Sequence, residues 1–251
     1  MQIISDIEYS SGVVGDLFLP DEQLPEGGFP AVVLIHGGSW TSNDRHSVRG
    51  IADFLVENGF AVFNVEYRLA PQFRWPFGLE DCKNAVRYLA DSNYPVNSRK
   101  ISIIGASAGG HYALIAGLSL PPEMVCSIVS ISGIDDVFSD YKFAPDRYLA
   151  LLGVNPSERK LFELNPASYA GDEIPPVLCT HWRQDQVVPF ESCIDFVKSA
   201  ESKGGRVCVY SYDFERQSEG HGIWIPGSEP HRLYPDIEAV IAAFLKTVIS
   251  K

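Results

Sequence analysis

The chain has 251 residues, 45% hydrophobic and 21% charged, which suits one globular domain able to bury a sizeable core. Its formal charge of -12 repels phosphate backbones and anionic lipid, arguing against nucleic acid and membrane partners. Residues 1–10 (MQIISDIEYS) lack the basic and apolar regions of a signal peptide, and no apolar run approaches the ~18 residues of a membrane span, so a cytoplasmic location is expected.

Short β-branched runs alternate with amphipathic stretches, the pattern of a mostly parallel sheet covered by helices on both faces. Residues 3–9 and 13–19 predict an antiparallel edge hairpin, and the Pro/Gly-rich segment 20–30 a surface loop. Residues 31–35 (AVVLI) are apolar throughout and predict a fully buried strand. A helix over 47–58, closed by Gly59, leads to a strand over 61–67, then to a helix that Pro76 could open and that runs to about residue 90. Strand 101–104, helix 108–118 and strand 125–131 follow. Segment 133–170 is irregular and aromatic, with room for one or two short helices. Strands 177–181 and 207–212 and helices 190–203 and 235–248 complete a single domain without internal repeats.

Gly105-Ala106-Ser107-Ala108-Gly109 lies between an apolar strand and a credible helix, the setting in which G-x-S-x-G forms a strained turn that lifts a serine hydroxyl above the sheet. Ser107 is the expected nucleophile, and the Ala108 N–H would face it at a helix N-terminus, where negative charge is favoured. Strand 31–35 runs into His36-Gly37-Gly38-Ser39-Trp40, whose glycines let backbone approach a substrate carbonyl. His36 is expected to brace this loop.

HGGSW, YRLAP (67–71) and GASAGGHYA (105–113), in this order and spacing, resemble the α/β-hydrolase esterases of the hormone-sensitive-lipase-like and feruloyl/acetyl-xylan-esterase-like groups. The resemblance covers essentially the whole chain and implies the α/β-hydrolase fold. Ser39 departs from HGGG and gives the HGGxW form also found in kynurenine formamidases. By resemblance, the N–H groups of Gly38, Ser39 and Ala108 would hold the oxyanion.

A serine hydroxyl needs a histidine to take its proton and a carboxylate to orient that histidine, here in the order Ser, acid, His. His111 should lie beneath the turn rather than beside the hydroxyl, and His181 comes too early. His221, glycine-flanked after the last strand and in the G-H-G pattern of the similar esterases, is the expected base, with His231 as runner-up. Asp185 aligns with the aspartate of the H-G-x-x-D-x-x-V-P loop of related enzymes, although Trp182 stands at its glycine. Asp213 and Glu219 are alternative acids, expected with Asp135 and Asp136 to be solvated surface carboxylates.

Among the aromatics near these loops (Trp40, Phe73, Trp75, Phe138, Tyr141, Phe143, Tyr148 and Trp224), Trp40 and Trp224 are the expected substrate contacts. Segment 133–170 sits where a small cap would lie. The five cysteines, Cys82, Cys126, Cys179, Cys193 and Cys208, have no metal-ligand spacing. They are expected to be reduced and structural, with Cys126, Cys179 and Cys208 in apolar runs. No metal site or cofactor is expected, because Gly109-Gly110 and Gly204-Gly205 lack the G-x-G-x-x-G spacing. The chain therefore reads as a serine carboxylesterase for a small-molecule short-acyl ester, such as an acetylated or aryl-acylated carbohydrate. A formamidase-like amidase, a peptidase and a non-catalytic binding module are the alternatives, and the oligomeric state is not legible.

Overall fold

A computed structural model describes residues 1–171, 173–213 and 220–250. Among these residues eight strands form one sheet: β1 (Gln2–Ser10), β2 (Val13–Leu19), β3 (Phe29–Ile35), β4 (Ala61–Val65), β5 (Val96–Ala106), β6 (Ser127–Ile131), β7 (Val177–Trp182) and β8 (Val207–Tyr212). Their spatial order is β1-β2-β4-β3-β5-β6-β7-β8. The β1–β2 pair is antiparallel, as the edge hairpin predicts, the β2–β4 pair is antiparallel as well, and the others are parallel.

The unbroken apolar run of β3 follows from its central place, since both of its faces are covered. Val33 and Ile35 join a core with Leu79 of α2 (Phe77–Asp91), Tyr112 of α3 (Ala108–Ser119) and Phe196 of α7 (Phe190–Ser202). Val32 and Leu34 face the other core, built with Ile51 and Leu55 of α1 (Arg49–Glu57) and Ile241 and Leu245 of α8 (Pro235–Ile249). Helix α3 is apolar all round because it is enclosed, with residues 108–117 all buried.

Four expectations are corrected. The segment after β6 holds three short helices, α4 (Val137–Phe143), α5 (Asp146–Leu152) and α6 (Glu158–Leu164), which place Val137, Tyr148, Leu151, Leu161 and Leu164 in the core. The helix after β3 begins as a 3-10 turn over Arg45–Val48, where the Asp44 carboxylate accepts the His46 N–H. Strand β5 starts five residues before its apolar run, because Val96 pairs with Phe29. Cys208 is exposed and Cys126 only half-buried, while Cys82, Cys179 and Cys193 are enclosed. The exposure of Cys208 follows from the place of β8 at the sheet edge.

Phe63 of β4 is 1% exposed, meets Tyr9 edge-on with ring centroids 5.5 Å apart and stacks on Tyr88 at 5.9 Å. It thus joins the antiparallel edge to α2. Phe63→Ala is expected to lower the unfolding free energy by about 3–5 kcal/mol in urea titration. A loss below about 1 kcal/mol would show that this face repacks freely.

Candidate active site

Ser107 occupies the turn between β5 and α3 with φ 55° and ψ −122°, a conformation that disfavours a side chain and costs on the order of 1–3 kcal/mol. The surroundings hold it there. Its N–H donates to the Ile131 carbonyl at 2.9 Å, and its own carbonyl accepts from Gly110 at 2.9 Å. A Cβ at Gly105 would lie 2.0 Å from the Gly109 oxygen, and one at Gly109 would lie 2.3 Å from the Ile35 oxygen and 2.5 Å from that of His36. Only glycine lets the serine turn nest this closely against the loop after β3.

That loop reverses through three consecutive positive φ values, at Gly38 (114°), Ser39 (50°) and Trp40 (64°). The Thr41 and Ser42 N–H groups donate to the Gly38 carbonyl at 3.0 and 3.1 Å. Among the described residues the N–H groups of Gly38, Ser39 and Ala108 donate to no protein acceptor. They are thus available to an oxyanion, and Gly37, Gly38 and Ser39 line a cleft of about 490 Å³ together with Ser107 and His221.

Behind the loop, His36 is wholly buried, donates from Nδ1 to the Gly37 carbonyl at 2.7 Å and stacks on Tyr67 at 4.3 Å. It is a brace, as expected. YRLAP has a structural purpose that its sequence did not disclose: Tyr67 donates to the His36 carbonyl at 3.2 Å, and the Ala70 N–H to that of Trp40 at 2.9 Å. Arg45 then ties the loop to the sheet edge through Asp6 at 2.7 Å, Asp16 at 2.8 Å and Glu66 at 2.8 Å. Burial alone would push Glu66 up, but His36 and Arg45 beside it hold its carboxyl below the usual range.

Asp185 follows β7. Its Oδ1 accepts the N–H groups of Val187 at 2.8 Å and Val188 at 2.9 Å, and its Oδ2 accepts His221 Nδ1 at 2.6 Å. The Gln186 N–H donates to the Gly220 carbonyl at 2.7 Å and joins the acid and base loops. Trp182, which replaces a glycine, supplies the floor: a Cβ on Gly222 would come within 2.6 Å of its indole. With Nδ1 engaged by Asp185, His221 Nε2 has no hydrogen-bond partner among the described residues, and His221 lines the cleft with Ser107. Ser107, His221, Gly38 and Ser39 thus line one cleft, with Asp185 behind His221 and the Ala108 N–H next to Ser107 in the chain.

A model of the BD-FAE family matches residues 16–199. The chain belongs to the BD-FAE family. Esterase LipC of Mycobacterium tuberculosis is 25% identical over 225 residues, 80% of this chain and 55% of that protein. An AB hydrolase superfamily protein of Schizosaccharomyces pombe is 34% identical over 108 residues, 42% of this chain and 32% of that protein. The chain thus spans about half or less of the length of these curated relatives. A truncated carbohydrate esterase from gut microbiota superposes with a TM-score of 0.86 at 21% identity, covering 100% of this chain and 97% of that one. Esterase Est2 of Thermogutta terrifontis, with propionate bound, superposes with a TM-score of 0.77 at 19% identity, covering 98% and 94%. The fold is the α/β-hydrolase fold.

Other candidate residues of this BD-FAE chain separate by burial. His231 lines the cleft but has no carboxylate partner among the described residues, whereas His221 has Asp185. His111 is enclosed under the turn and bonds to the Leu164 carbonyl at 2.7 Å, and burial holds it down to about 4. Asp213 is exposed after β8, and Glu219 lies outside the described residues. Asp135 and Asp136, expected on the surface, are buried: Asp135 accepts the Ser130 hydroxyl at 2.5 Å, and Asp136 caps α4. Burial pushes Asp135 up to about 7.

Trp40 is a correction. It is fully buried against His111 and Tyr148, with ring centroids 5.2 and 5.5 Å away, and does not line the cleft. Its positive φ turns the indole inward beneath the loop. Trp224 does line the cleft, 6.0 Å from the His231 ring, whereas Phe73, Trp75, Phe138, Tyr141, Phe143 and Tyr148 do not. No described residue of 133–170 lines the cleft. Arg147 of this segment donates to the Val187 carbonyl of the acid loop at 2.7 Å. One trio of buried donors, Asp135, His181 and Cys193, gathers within 4.8 Å. Asp135 is already engaged by Ser130, and His181 bonds to the Val188 carbonyl at 3.0 Å, which makes the trio an internal polar network.

A fluorophosphonate should add its mass to Ser107 and abolish esterase activity, and Ser107→Ala should prevent labelling. His221→Ala should lower kcat by several orders of magnitude and Asp185→Asn substantially, as triads generally do. Inactivity of His231→Ala beside an active His221→Ala would overturn the assignment.

Proposed function

We propose that the protein is a serine carboxylesterase that removes short acyl groups, acetyl foremost, from a carbohydrate or other ring-shaped alcohol. The observation that carries this reading is His221, with Nδ1 on Asp185 at 2.6 Å and Nε2 free in the cleft of Ser107.

In the reaction, Nε2 takes the Ser107 proton as Oγ attacks the ester carbonyl, and the oxygen that becomes negative settles among the N–H groups of Gly38, Ser39 and Ala108. Asp185 stabilises the imidazolium without taking its proton. As the tetrahedral centre collapses, the C–O bond to the alcohol breaks and His221 returns the proton to the departing oxygen. Water then attacks the acyl-enzyme, gives a proton to His221, and the carboxylic acid leaves as Oγ regains its hydrogen. The N–H groups are fixed before substrate arrives, and each such donor contributes roughly 3–4 kcal/mol to transition-state stabilisation.

The cleft suits a modest substrate. Ile223, Trp224, Ile225 and Pro226 line it together with Asn43, Ser47 and Val48. Partly exposed Trp224 offers a flat face for a ring, while Asn43 and Ser47 offer polar groups to hydroxyls. The family membership and the carbohydrate esterase among the structural neighbours support this choice of alcohol.

A p-nitrophenyl ester series is expected to give its highest kcat/KM from acetyl to butyryl and to fall beyond about eight carbons, since each methylene that finds no apolar contact forfeits up to about 0.8 kcal/mol. Trp224→Ala should raise KM for an acetylated oligosaccharide more than for p-nitrophenyl acetate. A rise out to ten or twelve carbons, or N-formyl amides hydrolysed faster than esters, would refute the reading.

A further inference from the structure

Behind the acid lies a second, wholly enclosed imidazole. His181 closes β7, and its Nε2 is 3.0 Å from the Val188 carbonyl and 3.7 Å from the same Asp185 Oδ2 that His221 holds at 2.6 Å. Oδ2 of Asp185 therefore stands between two histidines, one in the cleft and one in the core. Oδ1 is held by the N–H groups of Val187 and Val188, so His181 grips from its carbonyl side the turn that Asp185 grips from its amide side. The groups facing His181 come from every element packed on it. Asp185 lies in its own loop, Asp135 in the turn after β6, and Cys193 in α7, while Phe190 offers an uncharged ring 5.7 Å away.

We propose that His181 is a positioning residue for catalysis, fixing the Asp185 turn from behind, on the side of that carboxylate opposite His221. This rests on the reading of Ser107, His221 and Asp185 as the triad. Burial disfavours a charged His181, but Cys193, Asp185 and Asp135 outweigh it and push His181 up to about 9, which keeps it protonated at neutral pH. Its charge weakens the hold of Asp185 on the His221 proton. A protonated His221 cannot accept the Ser107 proton, so a group that weakens this hold favours the attacking form of the base.

His181→Gln removes the charge and keeps a donor for the Val188 carbonyl, and His181→Phe removes both. The rate of Ser107 phosphonylation by a fluorophosphonate, measured from pH 5 to 9, reads the effect without depending on which ester is natural. In His181→Gln the acidic limb of the rate profile should move upward by about half a pH unit or more, with an unfolding midpoint close to that of the parent. His181→Phe should be slower still, and KM for p-nitrophenyl acetate should change little in His181→Gln while kcat falls. An unmoved limb in folded His181→Gln overturns the proposal. Wild-type protein that is not labelled at Ser107 overturns the triad reading and this proposal with it. If neither variant folds, imidazole NMR titration of the parent decides. A buried histidine still protonated at pH 8 supports the role, and every histidine neutral by pH 7.5 refutes it.

Discussion

The arrangement depends on one contact, the approach of the turn after β5 to the loop after β3. The two strands are parallel neighbours in register, with Ile35 opposite Gly105, so both leave the sheet at the same height. Gly109 lies against the Ile35 and His36 carbonyls, and Gly37 against Ala106 and Ser107. Ser107 and the N–H groups of Gly38 and Ser39 are therefore placed by main chain against main chain. Side chains could not supply that fit, because any Cβ at Gly105 or Gly109 would overlap a carbonyl.

Around this contact the remaining parts are held by charge and burial in unequal measure. The loop after β3 is tied through Arg45 to Asp6, Asp16 and Glu66, across β1, β2 and the end of β4, with only Asp6 of these open to solvent. The acid loop is supported from inside, by the buried His181 and by Arg147 on the Val187 carbonyl.

Most of the scaffold was legible because its signals are local. Apolar runs marked the inner strands, and the glycines around Ser107 and His221 marked turns with one workable geometry. Misreadings arose where burial depends on distant partners. Trp40 reads as a pocket residue from its place in HGGSW, yet its positive φ drives the indole into a core completed by Tyr148, over a hundred residues later. Asp135 and Asp136 read as surface carboxylates, and no spacing reveals that Ser130 and Asn165 enclose them. Cys208 reads as buried because VCVYSY is apolar, but being at the sheet edge is a property of topology rather than of the run.

The scattering of the site over strand ends bears on how the protein reaches its active form. Ser107 follows β5, Asp185 follows β7, and His221 comes after β8, so no segment shorter than about half the chain holds the full set. The pairings that align them, β3 with β5 and β5 through β8, join residues far apart in sequence, and such pairings are slow to form. Partly folded chains can thus hold native helices and a closed β1–β2 hairpin while having no competent serine. Recovery of hydrolysis after dilution from denaturant should accordingly trail the return of helical circular dichroism, so that turnover reports the last pairings of the sheet.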